Sequence, residues 1–314
     1  MSIKYEITAT SIVPAMGGFS TKAAYRVVGA DGINYFVKVY DKSQPTTHPF
    51  VERIDKYMPT LDWLSKSPSL RGCVLTPIPS REGSFKVETN VDVYVVFLYV
   101  HGKMPGIQGI TKAQTIELAK ILANLHEVGS TIPHETPGLA EDISLSFCDN
   151  LIQYLSKSNL IDSAISKIVS PYVNILINAA NETLRLRDTI RMNYTPLVLC
   201  HGDAHGNNLI QSERLVLADW EDLRWAPVEA DLFIHAWHPH GRELLKSYSA
   251  MRQCYHINLE LLNYYVLRRR IEDVWVDIQR LTEESPDDVE TSKLLDWIRV
   301  GVKEIKAIYS KKSR

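Results

Sequence analysis

Residues 197 to 222 carry side chains whose types and spacing suit one kind of chemistry. The apolar run Leu197-Val-Leu-Cys200 leads into His201-Gly202-Asp203-Ala204-His205-Gly206-Asn207-Asn208. A second run, Leu215–Ala218, leads into Asp219-Trp220-Glu221-Asp222. Phosphoryl transfer from ATP needs a carboxylate that orients and deprotonates an attacking hydroxyl, together with oxygen ligands that hold Mg²⁺ against the phosphates. Asp203 is the candidate base. Asn208, five positions on, and Asp219, directly after the second run, are the candidate metal ligands. Polar turns between core strands also favour Asp and Asn, but a single such turn would supply neither the pairing nor the spacing.

The elements that would position these groups can be read around them. Residues 1 to about 100 are mostly strand in pattern. Tyr5, Ile7, Ile12 and Val13 precede a turn at Gly17-Gly18-Phe19-Ser20-Thr21, and Ala24–Val28 and Tyr35–Tyr40 form a hairpin around Gly29-Ala-Asp-Gly32. The glycine pair suits two readings: an ordinary tight turn, or a loop with Gly18 and Ser20 in which backbone N–H groups cover nucleotide phosphates. Lys38, in Tyr-Phe-Val-Lys-Val-Tyr, is either a strand lysine facing solvent or the lysine that contacts the α- and β-phosphates; its place after the glycine turn and before a helix favours the second. That helix is predicted over Phe50–Ser65, with Val51, Ile54, Met58, Leu61 and Leu64 on one face. Glu52, near its start, is expected to hold Lys38, the alternative being an acid that merely suits the helix dipole.

Val91–Val100 is a strongly β-prone run ending at His101-Gly102. Thr111–Val128 is an amphipathic helix with Ile116, Ala119, Leu122, Ala123, Leu125 and His126 on its apolar side, where His126 is expected to pack or cap. Residues 144 to 192 look helical and carry no motif, and two long helical stretches, about 256–283 and 287–310, close the chain. On the first of these, Arg268 with Glu272 and Arg269 with Asp273 are i,i+4 pairs. They suit a salt-bridged solvated face and equally a row of acids lining an acceptor cleft.

The spacing from Asp203 to Asn208 is that of the protein-kinase catalytic loop, Asp-x-x-x-x-Asn, whose second metal ligand opens an Asp-Phe-Gly turn. The form His-Gly-Asp-x-His-x-x-Asn, with Asp-Trp for Asp-Phe, resembles the aminoglycoside phosphotransferase family of small-molecule kinases. The glycine turn is similar to that family's Gly-Gly-x-x-(Ser/Thr/Asn)-x-x-x-Tyr loop down to Tyr25, and Leu-Ala-Asn-Leu-His126 to its first C-lobe helix. Leu-Cys-His-Gly-Asp-x-His, Ala-Asp-Trp-Glu-Asp, Ala-Pro-x-x-x-Asp-Leu and Tyr-Tyr-x-x-x-Arg-x-Ile-Glu-Asp look most like its spectinomycin phosphotransferase branch. The resemblance covers about residues 15 to 285. It implies a bilobal, protein-kinase-like α+β fold: a mostly β N-lobe over residues 1–100 that binds nucleotide, and a larger helical C-lobe over 101–314 with an inserted helical segment at about 144–192 beside the substrate cleft. It further implies a hinge whose backbone near Leu98 and Val100 meets the adenine, and an Asp231 that braces the catalytic loop. The expected cofactors are ATP and Mg²⁺. Gly206-Asn207 departs from the family's usual Pro-Gly or Ala-Gly, and Glu221 stands where a protein kinase has Gly; neither removes a group the reaction requires. Ala226-Pro227 follows Asp219 within seven residues, which leaves no room for the activation segment with which a protein kinase binds a protein substrate.

Composition narrows the partners. A chain of 314 residues, 45% hydrophobic and 23% charged, is an ordinary globular composition with length for two domains. A net charge of -2 gives no whole-molecule reason for nucleic acid or an anionic membrane as partner. The N-terminus lacks the apolar core of a signal peptide, and Val93–Val100 is far too short to span a bilayer. Cys73, Cys148, Cys200 and Cys254 are scattered without a Cys-x-x-Cys, so neither a disulfide framework nor a zinc site is suggested and a cytoplasmic protein is expected. Asp203, Glu221, Asp222, Glu229, Asp231, Glu272 and Asp273 fall in segments expected to frame the cleft, with Glu221, Asp231, Glu272 and Asp273 as candidate acceptor contacts. Their sign favours a small cationic acceptor such as an aminoglycoside or aminocyclitol. The alternatives are a metabolic kinase for choline, homoserine, methylthioribose or a related compound, and a catalytically inactive nucleotide-binding pseudokinase.

Overall fold

The computed structural model describes residues 2–18, 21–106, 109–157, 164–192, 196–253 and 255–312. The chain forms two compact units, residues 1–141 with 197–257 and residues 142–196 with 258–314. These units cut the chain elsewhere than a boundary near residue 100. The β-sheet shares its unit with the two acidic loops, and the helical segment 142–196 shares the other with the C-terminal helices.

The first unit opens with a single helical turn, α1 (Ser2–Tyr5), where strand was expected. A five-stranded antiparallel sheet follows: β1 (Ala9–Ala15), β2 (Ala23–Gly29), β3 (Asn34–Asp41), then, after helix α2 (His48–Lys66), β4 (Lys86–Glu88) and β5 (Asp92–Leu98), in the order β1-β2-β3-β5-β4. Alternation along β3 decides what faces what. Tyr35, Val37 and Val39 join Tyr5, Ile7, Val27 and Val96 in a buried apolar cluster. Lys38 and Tyr40 are therefore on the opposite face, and both are buried. The register pairs Lys38 with Ala24 on one side and Val95 on the other, so the lysine sits on a central strand. Helix α2 starts beside Pro49, where a missing N–H does no harm, and buries Ile54, Tyr57, Met58, Thr60, Leu61 and Leu64. Helix α3 (Lys112–Val128) is fixed at its start by a reciprocal capping box between Thr111 and Gln114.

The segment 142–196 carries α4 (Ser146–Ser156), α5 (Ala164–Val169) and α6 (Val173–Met192). The chain then returns to the first unit with β6 (Val198–Cys200), β7 (Leu209–Gln211), β8 (Leu215–Leu217) and β9 (Arg224–Ala226), and with α7 (Glu229–Ala236) and α8 (Gly241–Met251). Two small antiparallel pairs result, β6 with β9 and β7 with β8. Helices α9 (Leu259–Glu283) and α10 (Asp288–Lys312) complete the second unit. On α10, Leu294, Ile298, Val302 and Ile305 recur at helical spacing and are fully buried. Among the described residues no helix is long and apolar enough to cross a membrane.

Asp277, buried on α9, is an ionisable group that folding places at a disadvantage. Burial first, and the nearby Asp273 second, push its carboxyl up to about 7 from an ordinary 3.8, against the opposing pull of Arg280. A carboxyl whose folded value is raised contributes stability in its protonated form, and that contribution is lost as pH rises from the ordinary carboxylate range through about 7. Asp277→Asn should therefore raise the unfolding temperature relative to the native chain by several degrees near pH 8 and by much less near pH 5, as read by thermal denaturation at both. An equal difference at the two pH values would refute the burial argument.

Candidate functional site

The catalytic loop is held by its backbone before any substrate is considered. Strand β6 ends at Cys200, and the next two N–H groups, those of His201 and Gly202, donate to the two oxygens of Asp231 at 2.9 and 2.6 Å. The same carboxylate bonds His126 Nε2 at 2.9 Å, and the His126 ring in turn bonds the Tyr248 hydroxyl at 2.7 Å. Burial alone would raise the Asp231 carboxyl; the hydrogen bonds from His126 and Gly202, and the field of His126 and His201, hold it below its usual value. Asp231 is 0% exposed. It is a brace for the loop and cannot meet an acceptor, which corrects its placement among the acceptor contacts. Gly202 sits at φ +86, and a Cβ there would lie 2.6 Å from the Asp222 carbonyl, so only glycine allows this close turn.

Asp203 follows, with part of its side chain exposed. Asn208 Nδ2 donates to the Asp203 carbonyl at 2.9 Å and to its Oδ2 at 3.0 Å. That spends the amide hydrogens of Asn208 on Asp203, so Oδ1 is the atom of Asn208 that could hold a metal. His205 Nε2 stands 3.4 Å from the same Oδ2. His235 donates from Nε2 to the Ala204 carbonyl at 2.7 Å, and burial, with His238 and His205 nearby, pushes its imidazole down to about 4, so it stays neutral.

His201 joins this loop to the second one. Its Nδ1 accepts from the Asp203 N–H at 3.2 Å, so its Nε2 carries the hydrogen and donates to the Ala218 carbonyl at 2.9 Å. The Trp220 ring packs edge-on against it at 4.5 Å between centroids. One residue beyond Ala218, Asp219 adopts a left-handed backbone at φ +64, an uncommon state for a residue with a Cβ and one that clusters at functional turns. The turn brings the Asp219 carboxylate against Lys38 Nζ, and Glu221 Oε1 against the same Nζ at 2.8 Å. The Tyr40 hydroxyl donates to that Glu221 oxygen. Burial would push the Lys38 ammonium down, but the two carboxylates outweigh it and hold the pKa above its ordinary value. Gly18 lies against the group: a Cβ there would lie 2.7 Å from Asp219 Oδ2.

The expected Lys38–Glu52 pair is not formed. Glu52 is exposed, and Lys38 is held by Asp219 and Glu221 instead. The reason is helical phase: at about 100° per residue, Glu52 lies roughly 160° round α2 from the buried Ile54. The residue of α2 that reaches the second loop is Arg53, which donates from Nε to the Glu221 carbonyl at 3.1 Å and from Nη2 to the Leu223 carbonyl at 2.7 Å. One turn on, Tyr57 is hydrogen-bonded to Tyr40. Glu221, 6% exposed, belongs to this buried group and not to an acceptor surface, a second correction. Glu229 is likewise buried, with Tyr255 donating to it at 2.9 Å. On α9, Asp273 pairs with Arg269 at 2.7 Å, the salt-bridged form, while Glu272 is half-buried. Ser20 lies outside the described residues. At the end of β5 the Leu98 N–H is taken by the Thr76 carbonyl at 2.9 Å and the Tyr99 N–H by Asn34 at 2.9 Å, so the Leu98 carbonyl, not its N–H, is available to a ligand.

Sequence reasoning missed His201, Arg53, Tyr57 and Tyr40. Tyr40 had a signal, since it lies two residues from Lys38 on the same strand face; Arg53 and Tyr57 had the helical phase; His201 had none beyond its place in the loop. Among the described residues His126, Cys200 and Asp231 are the one grouping with metal-ligand atoms close together. It reads as a hydrogen-bonded knot, because Asp231 is already saturated with N–H donors and burial pushes the Cys200 thiol well up. A cavity of about 540 Å³ lined by Ala236, Trp237, Arg242, Leu245, Lys246 and Ser249 includes none of the residues above.

Residues 11–258 match the phosphotransferase enzyme family, four-fifths of the chain. The chain belongs to that family. Its fold is the protein-kinase-like α+β fold of solved family structures. A spectinomycin phosphotransferase in complex with ADP and spectinomycin aligns over 98% of this chain and 95% of its own, at TM-score 0.70 and 16% identity. An amicoumacin kinase in complex with AMP-PNP, Ca²⁺ and Ami aligns over 96% of this chain and 91% of its own, at TM-score 0.67 and 12% identity. A GDP and kanamycin complex of an aminoglycoside phosphotransferase aligns over 98% and 95%, at TM-score 0.59 and 14% identity. No curated protein matches the sequence. Within this family fold Asp231 carries the loop that holds Asp203, so Asp231→Ala, which leaves His126 and two buried N–H groups without their acceptor, should lower stability by about 3–5 kcal/mol in urea unfolding. A loss below about 1 kcal/mol would show that the loop does not depend on it.

Proposed function

We propose that this family member transfers the γ-phosphoryl group of ATP to a hydroxyl of a small, polar, cationic molecule of the aminoglycoside or aminocyclitol kind. The observation that carries the reading is the pairing of Asp203 with Asn208: the amide hydrogens of Asn208 are turned onto Asp203, leaving one carboxylate to face a hydroxyl and one amide oxygen to face a metal. Asp203 orients the acceptor O–H and takes its proton as the acceptor oxygen bonds to the γ-phosphorus. The bond from that phosphorus to the β,γ-bridging oxygen breaks, and ADP leaves with the electron pair. Lys38 contacts the α- and β-phosphates, Gly18 allows the nucleotide loop to lie close over Asp219, and the Leu98 carbonyl and Val100 N–H meet the adenine edge.

Asn208 Oδ1 and Asp219 are hard oxygen donors, which fit Mg²⁺ and not a soft metal. The charges beside them support the same conclusion: one buried ammonium against two carboxylates leaves the group at a net −1 that a divalent ion would relieve. Bound there, Mg²⁺ supplies neutralisation of the phosphate charge as the bridging bond breaks.

Of the acids expected to frame the cleft, Glu221, Glu229 and Asp231 are buried, while Asp203 is part-exposed and the more open Asp222 lies 3.7 Å from Arg224. The relatives solved with spectinomycin and kanamycin support an amine-bearing acceptor. The short path from Asp219 to β9, a single tight turn and then a strand paired to β6, supports a small acceptor over a protein one. Buried thiols at Cys73, Cys148 and Cys200 suit a reducing, cytoplasmic setting.

Asp203→Asn should lower kcat by roughly 10²–10⁴-fold with nucleotide affinity little changed, measured by coupled ADP release and by nucleotide titration. Asp219→Ala, or excess EDTA, should abolish turnover, and undiminished turnover in EDTA would remove the metal from the scheme. ADP release across aminocyclitols, aminoglycosides, amino alcohols and sugar-like metabolites should select an acceptor with at least one amine, whose KM rises with added KCl. A neutral or anionic best acceptor with a salt-independent KM would replace the antibiotic-kinase reading with a metabolic one.

A further inference from the structure

We infer that Glu221, two residues beyond the metal-loop aspartate, is the fixed partner of Lys38 and sets the position of its ammonium for nucleotide, while Asp219 is the partner that leaves. The assignment depends on the phosphotransferase reading and adds to it a positioning residue.

The two carboxylates on Lys38 Nζ are not equivalent. The Asp219 side chain is 21% exposed, on a left-handed turn beneath Gly18; the Glu221 side chain is 8% exposed. Glu221 is held at three points: Lys38 and the Tyr40 hydroxyl on its carboxylate, and Arg53 Nε on its backbone carbonyl. Tyr57 stands behind Tyr40 within hydrogen-bond contact. Burial and the Glu221 charge push both phenols well above their ordinary range, so both remain protonated donors. Asp219 has Lys38 on its carboxylate and no comparable cage.

Charge decides which partner is exchangeable. Lys38, Asp219 and Glu221 sum to −1, so one carboxylate must find another cation for the buried group to reach neutrality. Asp219, the less buried of the two, can turn toward a divalent ion and leave a neutral, caged Lys38–Glu221 pair. In that state the ammonium keeps its place and offers its remaining hydrogens to phosphate oxygens. Helix α2 is coupled to the pair through Arg53 and Tyr57, four residues apart on one face, and its own acid Glu52 is exposed and takes no part.

The test separates the lysine anchor from a metal ligand and from the nucleotide reading itself. ADP binding to the full chain is measured by calorimetry in EDTA, and then steady-state KM and kcat for ATP with Mg²⁺. Glu221→Gln should raise the metal-free Kd for ADP about 10-fold or more and raise KM for ATP more than it lowers kcat. Tyr40→Phe should raise the same Kd about 3-fold, and Glu52→Gln should leave it within about 2-fold. Native-like thermal unfolding of each variant excludes misfolding, and if Glu221→Gln does not fold, the contrast between Tyr40→Phe and Glu52→Gln decides. An unchanged metal-free Kd in Glu221→Gln with a raised Mg²⁺ requirement would make Glu221 a metal ligand and overturn the inference. A larger loss from Glu52→Gln than from Glu221→Gln or Tyr40→Phe would overturn it too. Absence of ADP binding to the native chain would overturn the nucleotide reading, and this assignment with it.

Discussion

A buried ammonium fixes the geometry of the site. Lys38 lies on a central strand with its Nζ enclosed, and an unpaired charge there would be untenable. Two carboxylates from one turn answer it, and the answer ties the sheet to the second acidic loop across more than 180 residues of sequence. Other features follow from that contact. The turn must bring Asp219 and Glu221 to the same atom, which forces a left-handed backbone at Asp219. It also brings the Asp219 carboxylate close to Gly18, where a Cβ would have to displace it.

The second constraint is a backbone one. A loop that presents Asp203 with its main-chain groups turned inward needs acceptors for consecutive buried N–H groups, because unsatisfied donors are expensive in a dry interior. Asp231 supplies two and His201 supplies the third. His201 then spends its other nitrogen on Ala218, so the backbone that carries the candidate base and the backbone that carries the candidate metal ligand share one side chain. The strand pairs β6–β9 and β7–β8 close the same circuit from outside.

What could be read in the sequence follows from what is local. Asp203, Asn208 and Asp219 stand out as candidates because they follow apolar runs at short spacings, and Lys38 because it follows the glycine turn and precedes a helix. Helices α2, α3, α9 and α10 came out within a few residues because their apolar periods are strong, whereas α1 and α8 were not read. Partners were not legible. Glu52 was chosen for its charge and its nearness to a helix start, while the phase of the helix, read from Ile54, Met58 and Leu61, already placed it on the solvent side. Glu221 and Asp231 read as acids near a cleft because sequence does not give burial; only the folded chain shows each enclosed by donors. The division into units was hidden for a related reason, since it joins segments 142–196 and 258–314 that share no motif.

Glutamate at position 221 and the absence of an activation segment have one physical basis. In a protein kinase the glycine after the metal aspartate begins a long segment that is ordered or released to control activity. Here the corresponding residue is anchored by Lys38, Tyr40 and Arg53, and the chain is back in a paired strand by Arg224. Arg224 itself reaches back to the Gly202 carbonyl. The turn is thus locked at its start by charge, along its length by α2, and at its end by a strand. A segment held at all three places is fixed by contacts of its own, without the long segment that a protein kinase orders or releases. Such a site is preorganised, with its dipoles and charges set before substrate arrives.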